Sequence, residues 1–146
     1  MSYPVLLIIH LFAAIAFAGT VFFEVVMLEG VRAHLPREIM RATERAIGQR
    51  ARRIMPWVLL LLYGAGIAMA WQHKGVLEHP LDSALGLLLC LKIVLAASVF
   101  LHFLTAMFLL HTGRMRSVHS RRIHLSIFIH IVLIIFLAKA MFYARW

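Results

Sequence analysis

Three histidines and two lysines stand inside long apolar stretches of this chain: His10, Lys92, His102, His130 and Lys139. An ionisable side chain that hydrocarbon would otherwise surround turns toward a protein interior or a wet cavity, and it is a functional candidate by default. Neutral imidazoles are nitrogen bases that hold iron, copper or zinc, and a lysine supplies the cation that an anionic cofactor group needs. Glu24 joins them in the first stretch, Leu6 to Met27. It follows His10 by fourteen residues, four helical turns less about 40°, so both leave one helix face roughly 21 Å apart along the axis.

Depth decides which of these groups can meet. On antiparallel helices, His102 lies about ten residues before the last connection and His130 about eight after Arg122, so the two imidazoles come to similar depth. Counted from the other side, His10, Lys92 and Lys139 form a shallower layer. Facing imidazoles at one depth in a membrane bundle are what a b-type haem requires: neutral nitrogens on either side of an apolar macrocycle. The chain has one cysteine, Cys90, and no Cys-x-x-Cys-His stretch, which excludes a c-type attachment at the motif level. His10, His102 and His130 are therefore haem-iron candidates, and Lys92, Lys139 or a loop arginine are candidates for the propionates. Ser98, four residues before His102, can orient that ring. No nucleophile and base share a plausible depth, which argues against hydrolytic chemistry.

The elements that must position these residues follow from hydropathy. The 146 residues are 63% hydrophobic, and the mean hydropathy of +0.91 is far above a soluble average. Four apolar runs, about 3–28, 54–71, 84–110 and 125–143, are each near or above the ~18 residues needed to cross a bilayer. Hydrocarbon tolerates no exposed backbone, so the expected fold is all-α, a single transmembrane four-helix bundle. The first run reads as a retained span: no basic residue precedes it, and it is too long for a signal peptide.

A formal net charge of +9 invites a nucleic-acid reading, but its distribution opposes one. Arg32, Arg37, Arg41, Arg45, Arg50, Arg52 and Arg53 lie in connection 29–53, and Arg114, Arg116, Arg121 and Arg122 in connection 111–124. The connection between the second and third runs holds only Lys74 against Glu78 and Asp82. The positive-inside rule makes both Arg-rich connections cytoplasmic and puts both termini on the other side of a bacterial-type inner membrane. The charge then reads as topology and contact with anionic membrane lipid, with no nucleic acid. Arg37, Arg41 and Arg45 recur every four residues, as on a helix lying at the interface or extending the second span.

Other features have plainer readings. Gly64, Gly66, Ala68 and Ala70 let helices approach closely, and Gly64 is the position that would leave room beside a flat ligand. His73 and His79, near Glu78 and Asp82, are a weak metal signal in a solvated loop. The eight methionines do not cluster in sequence, although Met27, Met55 and Met107 fall in the cytoplasmic half and soft thioethers suit Cu(I).

The stretches His10-LFAAIAFAGTVFFEVVML, ERAIGQRARRIMPW and LLLCLKIVLAASVF carry a resemblance. Over nearly the whole chain the sequence resembles the CopD-type copper-resistance membrane domain, and more loosely it is similar to the HemJ-type protoporphyrinogen oxidases. In the HemJ-type family a histidine of the first helix and a lysine of the third are associated with haem binding and activity. The resemblance implies those roles for His10 and Lys92; His102 and His130 fall outside its pattern. The expected function is a haem b-binding, cytochrome b-like membrane protein with a redox role. It would pass electrons between the haem and a quinone, porphyrinogen, oxygen species or other redox partner, by electron transfer or as an oxidoreductase. The alternative is copper handling, in transport or resistance, through His10, His73, His79 and methionines. Four helices give little room to enclose a macrocycle, so a homodimer is compatible with either.

Overall fold

The computed structural model describes residues 2–143, and every regular element among them is helical. Four helices are long and apolar enough to cross a membrane: Tyr3–Arg32, Arg37–Gln72, Ala84–His111 and Val118–Ala140. They form two compact units, one ending at Gln72 and the other beginning at His73.

In the first unit, α1 (Tyr3–Phe22) starts with Pro4 in its first turn, where a missing N–H costs nothing. A π-helical turn, Phe23–Leu28, and the short α2 (Glu29–Arg32) prolong it. After a turn, the carbonyl of Pro36 accepts the Met40 N–H and starts α3 (Arg37–Gln72). At 1.5 Å per residue α3 is about 54 Å long, against a hydrocarbon core of about 30 Å. The Arg-rich segment after Pro36 is therefore neither coil nor a separate interfacial helix but a continuation of the second span. Pro56, inside α3, withholds an N–H from the carbonyl of Arg52 without ending the helix.

The contact between α1 and α3 is apolar along most of its length. Leu6, Ala13, Phe17 and Val21, spaced seven or four apart, put one stripe of α1 inward, and Met40, Leu59 and Ala65 are the buried residues of α3. Phe12, Ile15, Trp57, Leu60 and Ile67 are exposed, as lipid-facing side chains are. At the far end Arg32 closes the hairpin. Its Nε donates to Glu29 at 2.9 Å and its terminal nitrogen to Glu44, tying α2 to α3.

The second unit opens with α4 (Lys74–Glu78) and a loop that packs on the start of α5 (Ala84–His111). The Ser83 hydroxyl caps α5 by accepting the Gly86 N–H at 3.1 Å. Gly86 is required there: a Cβ would lie 2.8 Å from the Pro80 carbonyl oxygen. Just past the end of α5, Gly113, with a φ of +67°, lets the chain turn back so that Arg114 and Met115 N–H reach the Leu109 carbonyl. α6 (Ser117–Ala140) then runs antiparallel to α5. It starts at Ser117, not near Leu125, because Arg121, Arg122 and His124 are polar yet helical; hydropathy marks the span, not the helix. Val99 of α5 and Ile127 and Ile131 of α6 are its buried residues near mid-span.

Candidate functional site

The most developed polar arrangement lies between α5 and α6. Ser98 and His102 are four residues apart on α5, and Ser126 and His130 are four apart on α6. Such a spacing puts serine and histidine about 40° apart on one face, one turn displaced. Antiparallel packing then sets the serine of each helix against the histidine of the other. Ser98 Oγ is 3.0 Å from His130 Nε2, and Ser126 Oγ is 3.0 Å from His102 Nε2. Each ring's second nitrogen turns back on its own helix: His102 Nδ1 is 2.7 Å from the Ser98 carbonyl oxygen, and His130 Nδ1 is 2.8 Å from that of Ser126. The ring centroids are 5.3 Å apart, tilted by 56°.

These contacts fix the protons. A carbonyl only accepts, so each Nδ1 carries the hydrogen; in a neutral ring Nε2 then holds the lone pair, and each serine hydroxyl donates to it. The arrangement has a local twofold: residue n of α5 corresponds to residue n + 28 of α6. The sequence carries the same symmetry, because Ser98-Val-Phe-Leu-His102 recurs as Ser126-Ile-Phe-Ile-His130. That His102 and His130 come to similar depth, within one helical turn, was readable by counting; Ser126 and the exchange of serines were not. The repeated pentapeptide is the signal that would have found them.

Two chemical consequences follow. First, a nucleophile and a base do share a depth, contrary to the sequence expectation: a serine hydroxyl on Nε2, with Nδ1 oriented by an acceptor, is the contact that activates serine. Acyl transfer also needs donors for an oxyanion, and in mid-helix the backbone N–H groups are spent on carbonyls four residues back. Second, the pair is not set to bracket one haem. A macrocycle lies between its two axial rings, whereas these rings adjoin, with Nε2 atoms aimed at serines and Val99 and Ile127 packed alongside.

His10 is placed differently. It is half-buried on α1, and its Nδ1 is 2.9 Å from the Leu62 carbonyl oxygen of α3. The ring occupies the space that Gly66 leaves: a Cβ there would lie 3.2 Å from His10 Cε1. Gly66, and not Gly64, is thus the close-approach residue; a Cβ on Gly64 would meet nothing within 4 Å. The Leu62 carbonyl makes His10 the same tautomer as the other two, with Nε2 the basic nitrogen. That is the orientation of a metal-ligating histidine whose other nitrogen is held by a backbone carbonyl.

The remaining candidates take no part in the contacts described above. Lys92, half-buried on α5, has no hydrogen bond or ion pair among the described residues; it is six residues before Ser98 on the helix. Lys139 is exposed near the end of α6, its Nζ 5.7 Å from the Tyr143 ring centroid. Glu24 is half-buried inside the π-helical turn, so the uniform 100° step that aligned it with His10 fails over its last residues. Among the described residues, no three His, Cys, Asp or Glu side chains converge as a metal-holding group, His73 and His79 included. No family model, curated protein or solved structure matches this chain. The likeness to the CopD-type and HemJ-type families therefore rests on the stretches quoted for it.

Proposed function

We propose that this chain is a haem b-binding membrane protein with a redox role, and that His10 supplies an axial imidazole. The observation that carries this reading is the hold on His10: Nδ1–H bound to the Leu62 carbonyl at 2.9 Å, the ring seated against Gly66. The hydrogen bond fixes ring orientation and raises the basicity of Nε2, which is what outer contacts do for a metal-ligating histidine. A bound b haem supplies reversible one-electron transfer at a potential tuned by its ligand and its burial. In this reading His102 and His130 are not ligands, since their Nε2 lone pairs already accept from Ser126 and Ser98.

The test is the visible spectrum of detergent-purified protein, oxidised and dithionite-reduced, with metal analysis of the same sample. Wild type shows the α and β bands of a reduced b haem, His10→Ala loses them, and His102→Ala and His130→Ala keep them. Haem-free wild-type protein, or full haem in His10→Ala, overturns the proposal. Copper in place of haem transfers the argument to the copper-handling alternative.

A further inference from the structure

We infer that the paired serines and histidines of α5 and α6 form a membrane-embedded proton-binding site with a capacity of one. It is independent of any haem at His10. A proton added to His102 or His130 can arrive only at Nε2, because Nδ1 is already protonated and bound to a carbonyl. The serine facing that Nε2 then changes from donor to acceptor by rotating its hydroxyl. Its own hydrogen then needs another acceptor, and the carbonyl four residues back, Val94 for Ser98 and Arg122 for Ser126, is the one that a small rotation of the serine side chain would bring within reach. The imidazolium keeps a partner at each nitrogen.

A second proton meets a different situation. It would place a second imidazolium beside the first with ring centroids 5.3 Å apart, where little water screens their repulsion. No carboxylate stands in the hairpin to offset it, since neither α5 nor α6 contains Asp or Glu. The ionisable neighbours on the packed elements add positive charge or none nearby. Lys92 and His111 share α5, and His119, Arg121, Arg122, His124 and Lys139 share α6. On α4, at the outer end of α5, are Lys74 and Glu78. The repeated pentapeptides give the two imidazoles the same hydrogen-bond partners, so the single proton is shared between them.

The inference is tested by NMR of the histidine ring nitrogens in the full-length 15N-histidine-labelled protein, in lipid nanodiscs, titrated from about pH 8 to pH 4. His102→Gln and His130→Gln assign the signals. In wild type the changes of the two rings sum to one full neutral-to-imidazolium change, taken in one shared step, and then stall. The second proton binds at least about tenfold more weakly than the first. In His102→Gln the remaining His130 completes the whole change. Two full, independent transitions overturn the inference, as does the absence of any protonation in the range. If the glutamine variants do not fold, a summed change of one protonation in wild type still decides the matter.

Discussion

Ser98→Ala tests the architecture of the site most directly, because two readings of the same residues predict different partners. Read along the helix, Ser98 serves His102, four residues on. In the structure the Ser98 hydroxyl reaches His130 on the other helix, and only its backbone carbonyl, which alanine retains, serves His102. A double-mutant cycle pairing Ser98→Ala with His130→Leu should therefore show coupling. Side-chain hydrogen bonds between membrane helices are worth about 0.6 kcal/mol on average and up to about 1.7. Oγ to Nε2 at 3.0 Å is an ordinary length for such a bond, so a value near 1 kcal/mol is expected. The Nδ1 bond lost with the imidazole cancels in the cycle. The same serine paired with His102→Leu should give coupling near zero. By the local twofold, Ser126→Ala should cost the same as Ser98→Ala to within a few tenths of a kcal/mol and couple to His102. Reversible unfolding in mixed micelles gives all of these values. Stronger coupling of Ser98 to His102 than to His130 would refute the exchanged geometry.

Two glycines give further outcomes. Gly66→Leu drives a branched side chain into the His10 ring, which even an alanine Cβ would approach to 3.2 Å. It should displace Nδ1 from Leu62 and cost about 1–3 kcal/mol by overpacking, with loss of any haem bound through His10. Gly64→Leu, into open space, should leave unfolding and the reduced spectrum unchanged. Gly86→Ala places a methyl group 2.8 Å from the Pro80 carbonyl oxygen, a backbone atom that cannot swing aside. It should break the Ser83 cap, costing about 1 kcal/mol or more, and be seen as faster amide exchange in the first turn of α5.

How far the sequence could be read depended on what each feature requires. The four spans needed only local composition, and the level of His102 and His130 needed only a count from their shared connection. The Arg-rich segment 37–53 also reads as helix from its four-residue spacing, but that it continues into Ile54 without a break is a property of chain direction, not of hydropathy. Facing residues were harder, because they depend on how each helix is rotated about its axis. Small side chains at Gly64 and Gly66 look alike in the sequence; only the rotation of α3 decides that Gly66 meets His10. Glu24 shows the same limit, since a single π-helical turn changes the direction of a side chain without a clear mark in composition.

The exchange of serines also explains why polar groups are useful in a hairpin whose fully buried residues, among those described, are apolar. Val99, Ile127 and Ile131 would pack acceptably in several registers, and in lipid there is no hydrophobic penalty to distinguish them. The polar pairs do distinguish them. In the observed register Ser98 is level with His130 and His102 with Ser126, so both donors and both lone pairs are used. A slip of one turn in one direction sets His102 against His130, two basic nitrogens with no hydrogen between them, and leaves both serines facing apolar side chains. A slip in the other direction sets Ser98 against Ser126, His130 against Val94, where it has no donor, and His102 against the Arg122 cation. Either alternative strands polar groups in hydrocarbon, at a cost exceeding the small gain from each bond alone. The two pentapeptides therefore define one alignment of α5 and α6. Because a single added proton can be absorbed by rotating one hydroxyl, that alignment holds in the neutral and the singly protonated hairpin alike.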